Sequence, residues 1–289
     1  MRFAKLQGLG NDFIVVDSSA VPPGAISGLA RRICDRHFGV GADGLLLWQR
    51  HSNSNPAVFR MRIFNADGGE AELSGNGLRC LAAYLYHQGI VAHDEVQIDT
   101  LAGRKWLRLV RSAGLEYWFD VEMGRPILDR KQIAFRPGTE PSSLTACELP
   151  VGEAVYSVTI TSMGNPHCSL FLDEFQSLDW EALGRQIEVH PYFPNRTNVE
   201  FIRVVNRGEI EVRFWERGVG KTFSSGTGSC AAAVASILNG YADRRVKVRT
   251  LGGDLKIRWE GDEALWLEGP AKLICEGEYF DSAEVLSDH

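Results

Sequence analysis

The sequence predicts an α+β protein of two pseudo-symmetric half-domains, each a small, mostly antiparallel and barrel-like sheet wrapped on a central helix. The main observation is an internal repeat, because the stretch Phe64–Gly77 recurs roughly 150 residues later as Trp215–Gly228. A period of this length indicates two similar half-domains rather than a solenoid. In both copies an alternating apolar run, typical of a strand, leads into a glycine-rich turn and then into an apolar stretch with helical spacing.

The helices of the two copies are predicted at Gly77–His87 and Gly228–Leu238. Gly89 and Gly240 supply the glycine that commonly follows a helix C-terminus. Each half-domain is therefore expected to have its repeat helix at the centre.

The remaining elements follow from the same patterns. Met1–Asp17 predicts a hairpin, Ile26–His37 a helix and Asp179–Ile187 a short helix, while His51–Pro56 and Arg136–Thr145 are predicted loops. Further strands are predicted at Leu45–Trp48, Glu95–Thr100, Lys105–Val110, Tyr117–Met123, Val155–Thr161, Asn198–Val205, Glu209–Trp215, Lys247–Thr250, Leu255–Trp259, Ala264–Leu267 and Ala271–Phe280.

These elements predict an N-terminal half-domain at residues 1–124 and a C-terminal one at 125–270. The tail, residues 271–289, begins with strand character and is expected to pack back onto the first half. The active site is expected in the cleft between the halves, where the two copies of the repeat would meet.

Composition narrows the class of function. A chain of 289 residues is long enough for two domains, and its net charge of −6 disfavours a nucleic-acid partner, which needs a basic face. The six cysteines are scattered without a Cys-x-x-Cys pair, which indicates reduced thiols rather than a disulfide framework or metal site. There is no apolar run of membrane length and no secretory leader, so we expect a cytoplasmic protein with a small-molecule ligand and no membrane partner.

Each repeat helix starts at a glycine-lined N-terminus. Unpaired backbone N–H groups and the positive end of the helix dipole make such a terminus an anion site. Two of them brought together could hold one carboxylate from both sides. The candidate donors are the backbone N–H groups of Gly75, Asn76, Gly226 and Thr227. The alternative is that Ser74 and Ser225 are only helix N-caps, for which serine is favoured.

A set of glycine- and asparagine-rich motifs follows in one order along the chain. They are Gly10-Asn11-Asp12-Phe13, Gly39-Val40-Gly41-Ala42-Asp43-Gly44, Asn65-Ala66-Asp67-Gly68, Gly75-Asn76-Gly77-x-Arg79-Cys80, Gly164-Asn165-Pro166-His167, Asn195-Arg196-Thr197-Asn198-Val199 and Glu216-Arg217-Gly218-Val219-Gly220. One such turn is weak evidence. The whole set, in this order, resembles the diaminopimelate epimerases, pyridoxal-independent enzymes of lysine and cell-wall biosynthesis, over nearly the whole chain.

The resemblance implies epimerisation of LL-2,6-diaminopimelate to the meso form, with no cofactor and no metal, by a homodimer. Two acidic groups on opposite faces of the α-carbon would act in turn, one removing the proton and the other returning one. In the family both groups are cysteines that head the glycine-rich helix starts. In this chain the two positions are Ser74 and Ser225.

The serines change the expected chemistry. A thiol titrates near about 8.5 and water, a guide for a hydroxyl, near about 15.7. The gap of roughly seven units corresponds to about 10 kcal/mol in forming the base, and a serine needs an adjacent base. The chain is therefore expected to be a poor epimerase. Three accounts stay open: a deliberate double Cys→Ser substitution that holds substrate without turnover, a natural relative with altered chemistry such as dehydration of a hydroxylated imino acid, and a binding protein that lost catalysis.

The resemblance assigns further roles. His167 is placed near the first catalytic residue and Glu216 belongs to the catalytic set. The planar fork of Arg217 suits a carboxylate and Glu216 suits an ammonium group. The asparagines implied to grip the distal amino-acid end, which by themselves would be ordinary loop residues, are Asn11, Asn65, Asn165 and Asn198. Asp43 and Asp67 are interpreted as turn-forming residues.

Two other functions are open. One is a proline or hydroxyproline racemase or dehydratase, although those enzymes carry histidine where this chain has Asn76. The other is a non-catalytic amino-acid-binding protein. Titration with diaminopimelate and with hydroxyproline would discriminate among them.

Overall fold

The computed structural model describes residues 1–51, 58–137, 143–261 and 263–281. The predicted loop His51–Pro56 lies almost wholly outside the described residues, as does the middle of Arg136–Thr145. The chain divides into two compact units, one formed by Met1–Val121 with the chain from Gly269 on, the other by Glu122–Glu268.

The described residues form an α+β structure of short strands and few helices. The strands are β1 (Arg2–Gly8), β2 (Asn11–Asp17), β3 (Gly44–Arg50), β4 (Val58–Asn65), β5 (Glu70–Ala71), β6 (Glu95–Thr100), β7 (Gly103–Ala113), β8 (Glu116–Gly124), β9 (Cys147–Val151), β10 (Ala154–Ser162), β11 (Pro166–Phe171), β12 (Asn198–Asn206), β13 (Glu209–Glu216), β14 (Gly220–Thr222), β15 (Arg245–Thr250), β16 (Gly253–Arg258) and β17 (Leu265–Glu278). The α-helices are α1 (Ile26–Cys34), α2 (Gly75–His87), α3 (Trp180–Glu188) and α4 (Gly226–Leu238).

The first unit is a closed barrel of eight strands. Its hydrogen-bonded order is β1-β2-β3-β4-β6-β7-β8, and β17 closes the ring by pairing with both β1 and β8. The pairs β2–β3 and β4–β6 are parallel, and the others with an assigned register are antiparallel. Helix α2 packs on β1 to β4 through buried side chains that include Leu78, Leu81 and Leu85.

The second unit repeats this plan. Its strands follow the order β9-β10-β11-β12-β13-β15-β16-β17, and the parallel pairs are β11–β12 and β13–β15, at the places that match the first unit. Helix α4 packs on β10 to β13, β15 and β16, and its alanine-rich surface is buried on nearly every side. The predicted α+β class and the two similar halves are confirmed.

Several predicted boundaries were wrong. Helices α2 and α4 begin two residues before the predicted Gly77 and Gly228, because the serine that caps each helix lies ahead of the glycines. The stretches Ala264–Leu267 and Ala271–Phe280 belong to one strand, β17. Four strands were not predicted, namely β9, β11 and the short β5 and β14.

Helix α1 also ends three residues earlier than predicted. The Asp35 carboxylate accepts the backbone N–H groups of His37 and Phe38, at 2.7 and 2.8 Å, and so stabilises a turn in place of another helical turn. Gly39 then passes close to the end of the helix, where a Cβ atom would lie 2.1 Å from the Arg32 carbonyl oxygen.

This close approach makes Gly39 sensitive to substitution. We expect Gly39→Ala to lower the free energy of unfolding by about 1–3 kcal/mol, because the backbone must move to admit the methyl group. Gly24→Ala is the matched control, since a Cβ there meets nothing within 4 Å. Urea denaturation of both variants tests this, and equal stability would contradict the packing described for Gly39.

Candidate functional site

The N-terminus of α2 has the donors that the sequence assigns to an anion. Ser74 caps the helix by accepting the Gly77 N–H at 3.0 Å. The N–H groups of Gly75 and Asn76, in the first turn, have no acceptor within the helix. Ser74 is thus an N-cap, as the alternative interpretation holds, and the cap leaves two donors beside its hydroxyl.

The side chains around this terminus form a hydrogen-bonded chain. Asn76 is 4% exposed, accepts a hydrogen bond from Arg79 and donates one to Asn11. Asn11 in turn donates to the Asp43 carboxylate at 2.7 Å. Asn65, at the end of β4, is exposed, and its backbone N–H donates to the Gly69 carbonyl.

The N-terminus of α4 repeats the arrangement in the second unit. Ser225 is 4% exposed and accepts the Gly228 N–H at 3.2 Å, which leaves the N–H groups of Gly226 and Thr227 without a helical acceptor. The Ser225 hydroxyl itself donates to the Glu216 carboxylate, with 2.8 Å between the oxygens. This candidate site therefore pairs a hydroxyl with a carboxylate.

Burial raises the pKa of Glu216, and the charge of Glu200 acts in the same direction. The hydrogen bond from Ser225 and the proximity of His167 oppose the shift without cancelling it. A carboxyl group with a raised pKa exchanges protons closer to neutral pH, as acid–base catalysis requires. Glu216 is thus a carboxyl group of raised pKa in direct hydrogen-bond contact with the Ser225 hydroxyl.

His167 is fully buried and held on both ring nitrogens. Its Nδ1 lies 2.6 Å from the Glu200 carboxylate, and its Nε2 lies 3.0 Å from Oδ1 of Asn165. The Ser169 hydroxyl donates to the other oxygen of Glu200. Since a carboxylate only accepts, Glu200 places a proton on Nδ1 and fixes the orientation of the ring.

Arg217 lies in the turn after β13. Its backbone N–H donates to Oδ1 of Asn198 at 3.0 Å, and the Asn198 amide donates to the Pro166 carbonyl. The Arg217 side chain is exposed and donates to the Asn195 carbonyl at 3.2 Å. The turn thus leaves the planar guanidinium accessible to a ligand.

Glu188, at the end of α3, holds this turn in place. Its carboxylate accepts the Trp215 indole N–H and the Gly218 backbone N–H, both at 2.8 Å, and pairs with Arg196. Its carbonyl accepts the Thr197 N–H. One buried carboxylate therefore ties together the two segments that contain Arg217 and Asn198.

We expect Glu188→Ala to lower the free energy of unfolding, because the buried indole N–H of Trp215 would lose its acceptor and an orphaned buried donor costs about 1–3 kcal/mol. Glu181→Ala is the control, since Glu181 forms a half-exposed pair with Lys221. Burial opposes the shift, yet the bonds from Trp215 and Gly218 leave the pKa of Glu188 lowered. The stabilisation should therefore be full above the ordinary pKa of glutamate and be lost as pH falls through the lowered one. Denaturation curves at neutral and acidic pH test this, and a loss independent of pH would contradict it.

Among the described residues, the structure brings most of the sequence-predicted candidates together within each unit, while Asn65 lies exposed at the end of β4. The first unit has Ser74, Gly75, Asn76 and Asn11 in one cluster, and the second has Ser225, Glu216, Arg217 and Asn198 in another, with His167 bonded to Asn165. The supporting residues that sequence reasoning missed are Arg79, Glu188, Glu200 and, as an acceptor rather than a turn-former, Asp43. For Glu200 a signal existed, since a charged residue stands within the apolar run of β12. Asp67 is a turn-former as predicted, because it accepts the Gly69 N–H.

The described ranges contain no group of three or more His, Cys, Asp or Glu side chains placed to hold a metal ion. No described helix is both long and apolar enough to span a membrane. The cysteines are thiols rather than disulfides, and Cys80 and Cys230 are fully buried.

Comparison with known proteins gives one family. The model of the family described as diaminopimelate epimerase matches residues 3–128 and 159–274. A diaminopimelate epimerase of Pelotomaculum thermopropionicum is 47% identical over 281 residues, which cover 96% of this chain and 99% of the relative. The corresponding protein of Methanococcus maripaludis is 39% identical over 279 residues, again 96% of this chain and 99% of the relative.

Solved structures share the fold at low identity. A Pseudomonas aeruginosa protein described as a predicted epimerase aligns with a TM-score of 0.68 at 20% identity, covering 97% of this chain and 99% of its own. A hydroxyproline epimerase of Agrobacterium vitis with bound trans-4-hydroxy-L-proline aligns with a TM-score of 0.67 at 14% identity, covering 98% and 92%. These alignments are evidence for the fold alone.

Proposed function

The chain belongs to the diaminopimelate epimerase family, and from this membership we propose that it binds 2,6-diaminopimelate and is an isomerase acting between the LL and meso forms. Its role would lie in the synthesis of lysine and of peptidoglycan precursors. The observation that carries the proposal is the duplicated serine-capped helix N-terminus at Ser74 and Ser225. A donor-rich helix end suits a carboxylate, and an amino acid offers one next to its α-carbon.

From the family resemblance we propose that both helix ends bind the α-carboxylate of one ligand. Their N–H groups also stabilise the negative charge that develops when the α-proton leaves, in the manner of an oxyanion hole. Ser74 and Ser225 then flank the α-carbon on opposite faces. Inversion requires this placement, because one face loses a proton while the other gains one.

The distal end of diaminopimelate carries a second carboxylate and a second ammonium group. Arg217 would bind the carboxylate through its planar fork, and Glu216 would accept from the ammonium through the oxygen that Ser225 does not use. Amides of Asn11, Asn65, Asn165 and Asn198 would complete the pocket. A ligand with two zwitterionic ends thus accounts for more of the candidate residues than a cyclic imino acid does.

The two faces differ in their proton chemistry. Ser225 donates its hydroxyl hydrogen bond to Glu216, an adjacent base of the kind that activates serine. At the equivalent position of the first copy the residue is Asn65, which cannot act as a base. For the Ser74 face the family resemblance implies His167, whose two ring nitrogens are engaged by Glu200 and Asn165 in the free protein. Without thiols, proton transfer on both faces of the α-carbon remains slow, since a hydroxyl is roughly seven pKa units less acidic than a thiol.

Isothermal titration calorimetry of the unaltered chain tests the proposal. We expect meso- and LL-diaminopimelate to bind, and trans-4-hydroxy-L-proline to bind far more weakly because it has no distal end. Preference for hydroxyproline would favour a racemase or dehydratase of imino acids. Absence of binding to diaminopimelate would refute the proposed function.

We also propose a cytoplasmic homodimer. The cysteine thiols suit a reducing compartment, and dimerisation is the expectation for the family. Sedimentation equilibrium of the purified chain measures the assembly directly, and a monomer at micromolar concentration would contradict it.

A further inference from the structure

The hydrogen-bonded chain at the N-terminus of α2 has a fixed direction. One end is Arg79, whose guanidinium can only donate, and Nη2 of Arg79 lies 2.5 Å from Oδ1 of Asn76. The other end is the Asp43 carboxylate, which can only accept and lies 2.7 Å from Nδ2 of Asn11. Between them the Asn76 amide donates to Oδ1 of Asn11 at 3.3 Å.

Only one orientation of the two amides satisfies both ends. Arg79 requires the oxygen of Asn76 to face it, so the nitrogen of Asn76 faces Asn11. Asp43 requires the nitrogen of Asn11 to face it, so the oxygen of Asn11 faces Asn76. The requirements agree at the central bond, and reversing either amide would set two donors or two acceptors against each other.

Both ends are themselves anchored. Arg79 is fully buried, and it also donates to the Pro270 and Gly75 carbonyls. Asp43 accepts the Asp12 N–H at 3.0 Å and the Arg36 guanidinium at 2.7 Å. Neither end can turn without breaking these bonds, so the direction of the chain is a property of the fold.

We propose that Arg79 and Asp43 are positioning residues that orient Asn76 and Asn11 so that each amide keeps one N–H for an anionic group of the ligand. Each amide nitrogen carries two hydrogens and uses one in the chain. Asn76 itself stands in the first turn of α2, where the backbone N–H groups of Gly75 and Asn76 lack a helical acceptor, so this terminus favours a carboxylate. The proposal rests on the proposed function for the identity of the ligand.

The second copy of the repeat lacks this hydrogen-bonded chain. Its residues at the positions of Asn76 and Arg79 are Thr227 and Cys230, which offer neither an amide nor a guanidinium. The polarity is therefore a property of the α2 terminus and distinguishes it from the α4 terminus.

The direction of the hydrogen-bonded chain from Arg79 to Asp43 can be tested without ligand. In ¹⁵N-labelled protein we expect Asp43→Asn to shift the side-chain Nδ2–H signals of both Asn11 and Asn76, because the acceptor-only end is lost. Asp99→Asn, which also removes a carboxylate paired with an arginine, is the control and should leave both signals in place. If the Asn76 signal does not respond to Asp43→Asn, the proposed chain is wrong.

Binding of meso-diaminopimelate tests the consequence. Asp43→Asn should weaken it about tenfold, and Asn11→Asp should weaken it further. The double variant Asn11→Asp with Asp43→Asn restores a directed chain but replaces the spare donor with an acceptor, so it should stay weak. Wild-type affinity in the double variant would overturn the proposal. If the unaltered chain binds no diaminopimelate, the proposed function fails, whereas the signals of Asn11 and Asn76 still decide the orientation.

Discussion

Ser74→Cys combined with Ser225→Cys is expected to interconvert LL- and meso-diaminopimelate at least about a thousandfold faster than the unaltered chain. The backbone donors of the helix ends and the distal ligands are retained, so apart from the hydrogen bonds of the two serine hydroxyls the change lies in the acidity of two groups. A thousandfold gain needs about 4 kcal/mol, less than half of the roughly 10 kcal/mol that separates a hydroxyl from a thiol as a base precursor. Appearance of the second stereoisomer by chiral chromatography measures the rate.

The single variants separate the two faces. Each should restore much less inversion than the pair, because one face of the α-carbon still lacks a competent proton donor. Exchange of the α-proton in D₂O needs only one thiol, so it should be detectable in either single variant. The double variant should also be inactivated by thiol alkylation, with substrate protecting it. If it neither exchanges nor inverts, the missing thiols were not the cause, and a natural relative with other chemistry or a binding protein becomes the better account.

The two substitutions also remove the helix caps, so the folding of the double variant has to be checked. Ser74 and Ser225 each satisfy a backbone N–H of the helix that they precede, and losing such a cap costs about 1 kcal/mol. The double cysteine variant should therefore unfold at a somewhat lower temperature and still be folded at 25 °C. Thermal unfolding followed by circular dichroism checks this before activity is interpreted.

The repeat made the fold predictable to a large extent. Two copies of one strand–turn–helix pattern predicted two similar halves, and the apolar alternation predicted most strands. The start of α2 was harder to predict, since Gly75 and Gly77 are poor helix formers and only the Ser74 cap indicates where the first turn begins. For β17, Gly269-Pro270 looks like a break. The strand continues because its partner changes there, from β16 through Glu268 to β1 from Lys272 on, so the missing proline N–H is tolerated.

The residues that support the site were harder to predict because their contacts are distant in sequence. Glu188 acts on Trp215 and Gly218, and its place at the end of an amphipathic helix suggests an ordinary exposed glutamate. Asp43 stands in a glycine-rich turn, where aspartate is common for local reasons. Its bond to Asn11 depends on β2 and β3 pairing in parallel, which the local pattern does not encode.

Arg217→Ala is expected to weaken binding of diaminopimelate by well over tenfold. In the free protein the guanidinium is exposed and donates to the Asn195 carbonyl, so it can turn to a ligand at small cost. Once bound, the distal carboxylate would lose its partner, and removing one member of a buried charged pair costs about 2–5 kcal/mol. Arg217→Lys should recover only part of the affinity, because an ammonium group cannot bind both carboxylate oxygens in one plane.

Calorimetric titration of these variants should be compared with Arg207→Ala. Arg207 lies in the same unit and pairs with Asp243 on the surface, so its loss removes the same charge without touching the candidate site. Lysine, which has no distal carboxylate, gives a second comparison as ligand. Lysine should bind weakly to the unaltered chain, and Arg217→Ala should leave its dissociation constant nearly unchanged. An equal loss for lysine and diaminopimelate would mean that Arg217 supports the turn rather than the ligand, and an unchanged dissociation constant would place the distal end elsewhere.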